Sequence, residues 1–221
     1  MSAPPFAPWV LRGEAIALLA GRRRRHAELP DGVEPAPGPA LVVANRWTSS
    51  PVGPFLQLSV AEPARIGLRL GWCRTLVVVD HPQARLGHRL NWGAPAELGT
   101  LRWLAADDRR ELVWEERDLV VRADPVGPRL PVALPVRSVQ QRADGPVVVP
   151  GRVVARVRAA RPRFTVRDGD ELAWLTGTHL GLLLSGVTEV VREARHPVGL
   201  LATLLAPAQV GEPALRDVVA R

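Results

Sequence analysis

The hydrophobic pattern of the chain favours strands. In the stretch 152–159, Val153, Ala155 and Val157 alternate with arginines, and Val154 is the one exception. A half-buried strand has this period of two, because successive side chains point to opposite faces of a sheet. The pattern therefore predicts a strand with one wet, arginine-bearing face and one buried face.

Other stretches give the same indication less completely. Residues 40–47 and 75–79 are rich in β-branched side chains, which strands prefer. Phe164 and Val166 alternate with polar neighbours, and Asp168-Gly169 marks a turn after them. Two short strands are predicted within 112–121. Two stretches, 10–19 and 180–184, fit either a strand or a helix.

Proline and glycine limit the helices. The chain has 22 prolines and 19 glycines in 221 residues, which leaves little room for long amphipathic helices. One inner helix is predicted between Pro82 and Trp92, since His81-Pro82 is a natural helix start. The stretch 28–39 is predicted to be a loop. The length suits one domain over residues 1–221, mostly β (α+β), as a barrel or two packed sheets.

The basic side of the composition is unusual. All 29 basic residues are arginines and the chain contains no lysine, so no side-chain amine can form a Schiff base. Codon usage in a GC-rich genome explains much of this arginine content, which weakens the net charge of +7 as an argument for nucleic acid. The run Arg22-Arg23-Arg24-Arg25-His26 fits a phosphate contact or a solvated loop. No aromatic residues interleave with it, which favours the loop.

Several chemistries lack their motifs. Cys73 is the only cysteine and lies in an apolar stretch, so it is interpreted as a small buried hydrophobe. The five histidines are dispersed and form no metal-binding pair, and no phosphate-binding loop or nucleophile elbow is present. We therefore predict no metal and no cofactor. The sequence has no recognisable secretory signal, which predicts a cytoplasmic protein. It also has no run of about 20 apolar residues, which predicts that it has no membrane span.

Three blocks of sequence resemble the acetoacetate decarboxylase family in their order and spacing. They are 8–13 (PWVLRG), 50–58 (SPVGPFLQL) and 79–80 (VD) followed by 87–98 (GHRLNWGAPAEL). The corresponding family patterns are PWxLxG, SPVGPYxEL and VDS…GRxxWGxPKEL. The resemblance extends over nearly the whole chain. It implies a closed, cone-like β-barrel with a buried cavity and a few short helices, assembled as a homo-oligomer.

The chain departs from the family where the family's chemistry lies. The family's Schiff-base lysine corresponds to Ala96, and the second lysine of the decarboxylases proper corresponds to Glu97. Gln57 stands where the family usually has a cavity glutamate, and an amide cannot exchange a proton near neutral pH. Codon usage explains arginine in place of lysine on a surface, but not alanine at a nucleophile. An imine-forming decarboxylation is therefore not expected.

The resemblance also implies candidate site residues. Arg89 and Gln57 are expected at the cavity or its rim, where an arginine can hold a carboxylate or enolate; the alternative for Arg89 is a structural ion pair. Trp92 and Ala96 are expected to contribute to substrate binding. Glu97 and His88 are the candidate acid–base groups, and the alternative for Glu97 is a solvated residue on a short turn.

Three functions follow as hypotheses. The first is a divergent member of the family that binds a small anionic or carbonyl-bearing molecule and, if it is an enzyme, performs a non-covalent lyase, cyclase or dehydratase step. The second is a catalytically inactive relative that binds a ligand or has a structural role. The third, a nucleic-acid-binding protein, is the weakest of the three.

Overall fold

The computed structural model describes residues 4–21 and 28–197, so the basic run at 22–26 lies outside the described residues. The prediction of one domain over 1–221 stays a prediction for the same reason. One α-helix, α1, spans Pro82–Trp92, and short 3-10 turns occur at Glu115–Arg117 and Ala173–Leu175. The described residues form fourteen strands, which in chain order are β1 Trp9–Ala20, β2 Glu34–Pro35, β3 Ala40–Ser49, β4 Phe55–Ile66, β5 Arg69–Val79, β6 Ala96–Leu98, β7 Leu101–Ala106, β8 Arg109–Trp114, β9 Leu119–Ala123, β10 Pro125–Arg142, β11 Gly145–Ala160, β12 Arg163–Thr165, β13 Gly177–Thr178 and β14 Leu180–Val191.

Seven of these strands close into a barrel. Their order is β4-β3-β1-β14-β11-β10-β5, and β5 pairs back onto β4. Most neighbours are antiparallel, but β10 meets β5 through a single parallel bridge between Ser138 and Trp72. The mostly-β closed barrel predicted from the sequence is therefore confirmed, and the β5–β10 seam has the fewest hydrogen bonds of the closure.

A second sheet covers one side of the barrel. It is antiparallel, in the order β13-β12-β9-β8-β7. Leu18, Val42 and Leu58 point outward from the barrel and are fully or almost fully buried against Leu112 and Phe164 of the second sheet. Because side chains alternate along a strand, the neighbouring residues of the same barrel strands point into the lumen.

Helix α1 closes one end of the barrel. His81 caps its N-terminus through Nδ1, which accepts a hydrogen bond from the Gln83 amide (3.2 Å), and Gly93 ends it in the left-handed conformation (φ 69°). Gly87 lets the helix approach the sheet, since a Cβ there would overlap the indole of Trp9. The predicted helix is confirmed with the bounds that the sequence indicated.

The structure resolves the ambiguous stretches as strands. Both 10–19 and 180–184 lie in strands, β1 and β14, which pair with each other. The stretch 28–39 is a loop apart from the two residues of β2. The alternating strand at 152–159 is present, and its alternation is unbroken: Val154 points to the same exposed face as Arg152 and Arg156, so it is an apolar residue on the wet side of the strand.

Within residues 4–21 and 28–197, no helix has the length and apolar character needed to cross a membrane.

Candidate ligand-binding cavity

The barrel encloses a cavity of about 260 Å³. Its wall is mainly apolar and comes from β1, β3, β4, β5, β10, β11 and β14. The polar side chains on that wall are Asn45, Gln57, Ser59, Arg74, Arg137, Ser138 and Glu189. An apolar cavity with a few polar groups is typical of a small-molecule site. A wider depression bordered by Arg129 and Arg156 lies outside the barrel wall and is open to solvent.

Gln57 is buried at the end of the cavity near α1, and two donors fix its orientation. Its Oε1 accepts a hydrogen bond from Trp47 Nε1 (3.3 Å) and lies 3.1 Å from His88 Nε2. An indole nitrogen only donates, so the Gln57 oxygen must face Trp47. The Gln57 amide nitrogen then has no hydrogen-bond partner among the described residues, and it is available to the cavity.

The same contact sets the protonation of His88. Because Gln57 Oε1 is an acceptor, His88 Nε2 carries the proton, and the neutral ring leaves Nδ1 bare. Nδ1 is buried without a hydrogen-bond partner in the described part of the chain. Burial, with the positive charge of Arg74 adding to it, lowers the pKa of His88 to about 3.

His88 is held by aromatic rings. Trp9, Phe55 and Trp92 pack edge-on against it, with ring centroids 5.2–6.4 Å away. His88 does not line the cavity and reaches it only through Gln57. It is therefore a positioning residue for Gln57, and its bare Nδ1 faces no cavity group that it could deprotonate. The expectation of His88 as a cavity acid or base differs from this geometry.

Arg74 and Glu189 bring opposite charges to the cavity. Arg74 lies on β5 and Glu189 on β14, and at least two strands separate β5 from β14 in either direction around the barrel. The two side chains therefore stand on opposite walls of the lumen. Neither makes a hydrogen bond, or an ion pair within 4.0 Å, with any residue in the described ranges.

The pKa values of Arg74 and Glu189 are shifted because both side chains are buried without a hydrogen-bond partner among the described residues. Burial raises the pKa of Glu189, and the charge of Arg74 acts in the opposite direction. Burial lowers the pKa of Arg74, and the charge of Glu189 opposes this. Some solvent-accessible surface remains on both side chains because they face the cavity. An anionic ligand would relieve the burial cost of Arg74, and a cationic ligand that of Glu189.

Ala96 lies on the inner face of the barrel. It pairs with Val77 across the parallel β5–β6 ladder, and Val77 pairs with Ser59 of β4. Side chains paired in this way share a face, so Ala96 points to the same side as Ser59 and Gln57. It is fully buried in the apolar cluster under α1 and does not itself line the cavity.

Two other predicted site residues lie elsewhere. Arg89 is exposed, and its Nε donates to the carbonyl oxygen of Ala96 (2.8 Å); this ties α1 to β6 and places the guanidinium away from the cavity. Glu97 follows Ala96 in the strand, so it points to the opposite face, beside Val78. Neither residue lines the cavity, which gives no support to Arg89 at the cavity or its rim or to Glu97 as an acid–base group there.

Trp92 is a buried packing residue. Its Nε1 donates to the Arg192 carbonyl oxygen (3.0 Å), and its ring meets Trp9 and His88. Of the six predicted site residues, Gln57 alone lines the cavity. His88 contacts Gln57 from behind, and Trp92 supports His88.

Sequence reasoning missed Arg74 and Glu189. Glu189 left a signal, because it lies two residues from both Val187 and Val191 and so shares a strand face with these two buried side chains. A charge on the apolar face of a strand indicates a functional group or an ion pair. Arg74 left a weaker signal, since a bulge at Thr75 changes the alternation between Arg74 and Val77.

The described residues contain no group of three or more His, Cys, Asp or Glu side chains that could hold a metal ion.

The fold defines a class of protein: a closed β-barrel with an internal cavity, an outer second sheet and one plugging helix. Compared by sequence, the chain matches no family model and none of the curated proteins. Compared by structure, it resembles acetoacetate decarboxylase from Legionella pneumophila, with a TM-score of 0.65 and 14% identity over 91% of this chain and 92% of that one.

Two more solved structures agree. Another acetoacetate decarboxylase gives a TM-score of 0.64 at 12% identity, over 86% of this chain and 89% of that one. The enduracididine biosynthesis enzyme MppR, complexed with pyruvate, gives 0.62 at 18% identity, over 88% of this chain and 91% of that one. The chain has the fold of acetoacetate decarboxylase and its relatives, which confirms the resemblance found in the sequence.

Proposed function

We propose that the barrel binds a small organic molecule that carries a carboxylate or a carbonyl group, and that any reaction it catalyses is non-covalent. One observation supports this most directly: Arg74 and the Gln57 amide nitrogen both face the barrel cavity without hydrogen-bond partners in the described chain. A guanidinium and an amide N–H are donors that a carboxylate or carbonyl oxygen satisfies. In this proposal Arg74 takes the role that the sequence suggested for Arg89.

The size of the cavity limits the ligand. A water molecule occupies about 30 Å³, so 260 Å³ corresponds to about nine water-sized groups. This suits a short organic acid. The similar structure of MppR holds pyruvate, a molecule of this class and of smaller size.

In this proposal Glu189, and not Glu97, is the group that donates or accepts a proton. Glu189 is the one carboxyl group on the cavity wall among the described residues, and burial raises its pKa towards the range in which a carboxyl exchanges protons. Lysine is absent from the chain, so no imine can form on a side-chain amine. A dehydration, a cyclisation or another lyase step through proton transfer is compatible with this set of groups.

The unfilled cavity favours this function over a purely structural role, because a structural relative has no need to keep a lumen of this size. A ligand-binding protein without turnover is the second candidate. The position of His88 behind Gln57 favours it, since this histidine does not line the cavity and brings no second acid or base to it. A homo-oligomer in the cytoplasm, without nucleic acid as a partner, stays a prediction under both candidates.

Binding of pyruvate and acetoacetate tests the proposal. We expect isothermal titration calorimetry to detect one of these acids in the wild-type protein. We expect Arg74→Gln to weaken binding at least about tenfold, because a hydrogen bond to a charged group is worth about 1.5–3 kcal/mol.

Arg156→Gln is the matched control, since Arg156 borders the outer depression and leaves the barrel cavity unchanged. Equal affinity in the wild type and in Arg74→Gln would place the site outside the barrel. If neither acid binds and no acid of four to six carbons binds either, the proposal is overturned.

A further inference from the structure

The two unpartnered charges on opposite walls of the lumen indicate a ligand with more than an acid group. The charges of Arg74 and Glu189 interact electrostatically, yet no ion pair within 4.0 Å joins them in the described part of the chain. A cavity built to hold a plain monoacid needs only the cation. The carboxyl group of Glu189 on the opposite wall is desolvated and has no hydrogen-bond donor among the described residues. Its burial costs free energy unless a ligand supplies that donor.

We infer that the ligand of this barrel has two ends, a carboxylate that meets Arg74 and a basic nitrogen, an amine or a guanidine, that meets Glu189. This inference rests on the proposed function, because it uses the same cavity and the same arginine. It adds the class of substrate: amino acids and related compounds that carry both groups, within the volume of about 260 Å³.

The other polar groups on the wall divide in the same way. The Gln57 amide nitrogen is a donor and assists the acid end. Asn45 has no side-chain partner among the described residues and can donate or accept. The Ser59 hydroxyl is directed to the Val43 carbonyl oxygen (3.4 Å). Glu189 is thus the only full negative charge on the described wall of the cavity.

Arg137 makes a dicarboxylate the main competing ligand. This arginine is exposed at the mouth of the cavity, where its Nη1 donates to the Leu70 carbonyl oxygen (3.3 Å) across the β5–β10 seam. A ligand with two carboxylates would bridge Arg74 and Arg137 and leave Glu189 facing an anion. Because like charges repel, Glu189 argues against this ligand.

A matched set of ligands decides between these classes. The probes are pentanoate, 5-aminopentanoate and glutarate, which have the same five-carbon backbone and differ at one end, together with the four-carbon and six-carbon members of each series. Dissociation constants are measured by calorimetry at pH 7 for the wild-type protein and for Glu189→Gln, whose side chain has the same shape without the charge.

For at least one chain length, we expect the amino acid to bind about tenfold or more tightly than the plain acid, and more tightly than the dicarboxylate. We expect Glu189→Gln to reduce this preference to less than about threefold, with affinity for the plain acid unchanged or improved. The melting temperature of the variant, measured in parallel, shows that it is folded; if it is not, Glu189→Asp, which keeps the charge, is expected to retain the preference.

The outcomes separate the two proposals. A barrel that binds the plain acids as well as it binds the amino acids has a single-ended site, and the inference is then wrong while the proposed function stands. A preference for glutarate also contradicts the inference and points to Arg137 as the second binding group. Failure of every acid to bind overturns both.

Discussion

Replacing His88 by phenylalanine tests the protonation state that the barrel imposes on this residue. His88 is buried between Trp9, Phe55 and Trp92, and its pKa is lowered from 6.5 to about 3, first by burial and then by the charge of Arg74. The native protein therefore keeps the ring neutral under conditions in which the unfolded chain protonates it. This difference makes the free energy of unfolding depend on pH.

The direction and the size follow from the two pKa values. Below pH 6.5 the unfolded chain gains a proton on His88, and the native protein gains none until about pH 3. The stability from this residue is therefore fully present above pH 6.5, falls as the pH falls, and is lost by about pH 3. Each pKa unit is worth about 1.36 kcal/mol, so the full loss is about 5 kcal/mol and the loss between pH 7.5 and 4.5 is about 3 kcal/mol.

Phenylalanine suits the aromatic surroundings and cannot take up a proton. At pH 7.5 the variant loses one hydrogen bond to Gln57 and also loses the unpartnered Nδ1, so we expect its stability within about 1.5 kcal/mol of the wild type. Chemical denaturation at pH 7.5, 6.5, 5.5 and 4.5 measures both proteins. The wild type should lose about 3 kcal/mol more than His88→Phe over this range.

Carboxylates elsewhere also titrate in this range, and the comparison between the two proteins removes their contribution. His196→Gln, which replaces an exposed histidine, is the control and should follow the wild type. Parallel curves for the wild type and His88→Phe would refute the reasoning, because His88 would then titrate alike in the folded and unfolded chains.

Two more predictions concern the missing lysine and the hydrogen bonds of Gln57. Incubation with acetoacetate and borohydride should modify no side chain, because no lysine is present to form a reducible imine; a covalent adduct that peptide mapping places on a side chain would contradict this. Gln57→Leu should destabilise the protein by about 1–3 kcal/mol for each of the two buried donors, on Trp47 and His88, that lose their acceptor. Asn45→Leu, at a cavity position without a hydrogen-bond partner among the described residues, should cost less in the same denaturation experiment, and an equal cost would argue against the Gln57 network.

Local patterns predicted many elements of this fold. Helix α1 followed from a proline start, and the strand at 152–159 followed from its alternation, because both signals lie within a few residues. Strand β10 was missed, since it contains prolines that usually exclude a strand. Strand β10 tolerates these prolines because its edge towards β5 is paired at a single bridge, so most residues on that edge do not have to donate a backbone N–H to a neighbouring strand. This weak pairing depends on strands that are distant in the sequence, so no local sequence pattern predicts it.

The candidate site was less predictable, for a geometric reason. The sequence blocks that carry the family resemblance include Gln57 and lead to α1, and the structure places this region at the plugged end of the barrel. Arg74 and Glu189 lie outside these blocks, on strands that are far apart in the chain and opposite in the barrel. Arg89 and Glu97 were predicted because they lie in the block at 87–98 that resembles the family, close to Ala96 in sequence. Alternation along β6 turns Glu97 outward, and Arg89 is held at the carbonyl oxygen of Ala96.

The position of Ala96 connects the composition of the chain to its chemistry. A lysine there would point into the apolar cluster beside Val77 and Trp92, and it would need a partner or a reaction to compensate for its lost hydration. Alanine fills this place without that cost, and α1 packs over it. The charges that the cavity does retain, on Arg74 and Glu189, instead lie across the lumen from each other. Such an arrangement offers no lysine amine for an imine, but it can orient a substrate by its two ends. In the function proposed above, a reaction in this barrel depends on the orientation of the ligand and on proton transfer by Glu189.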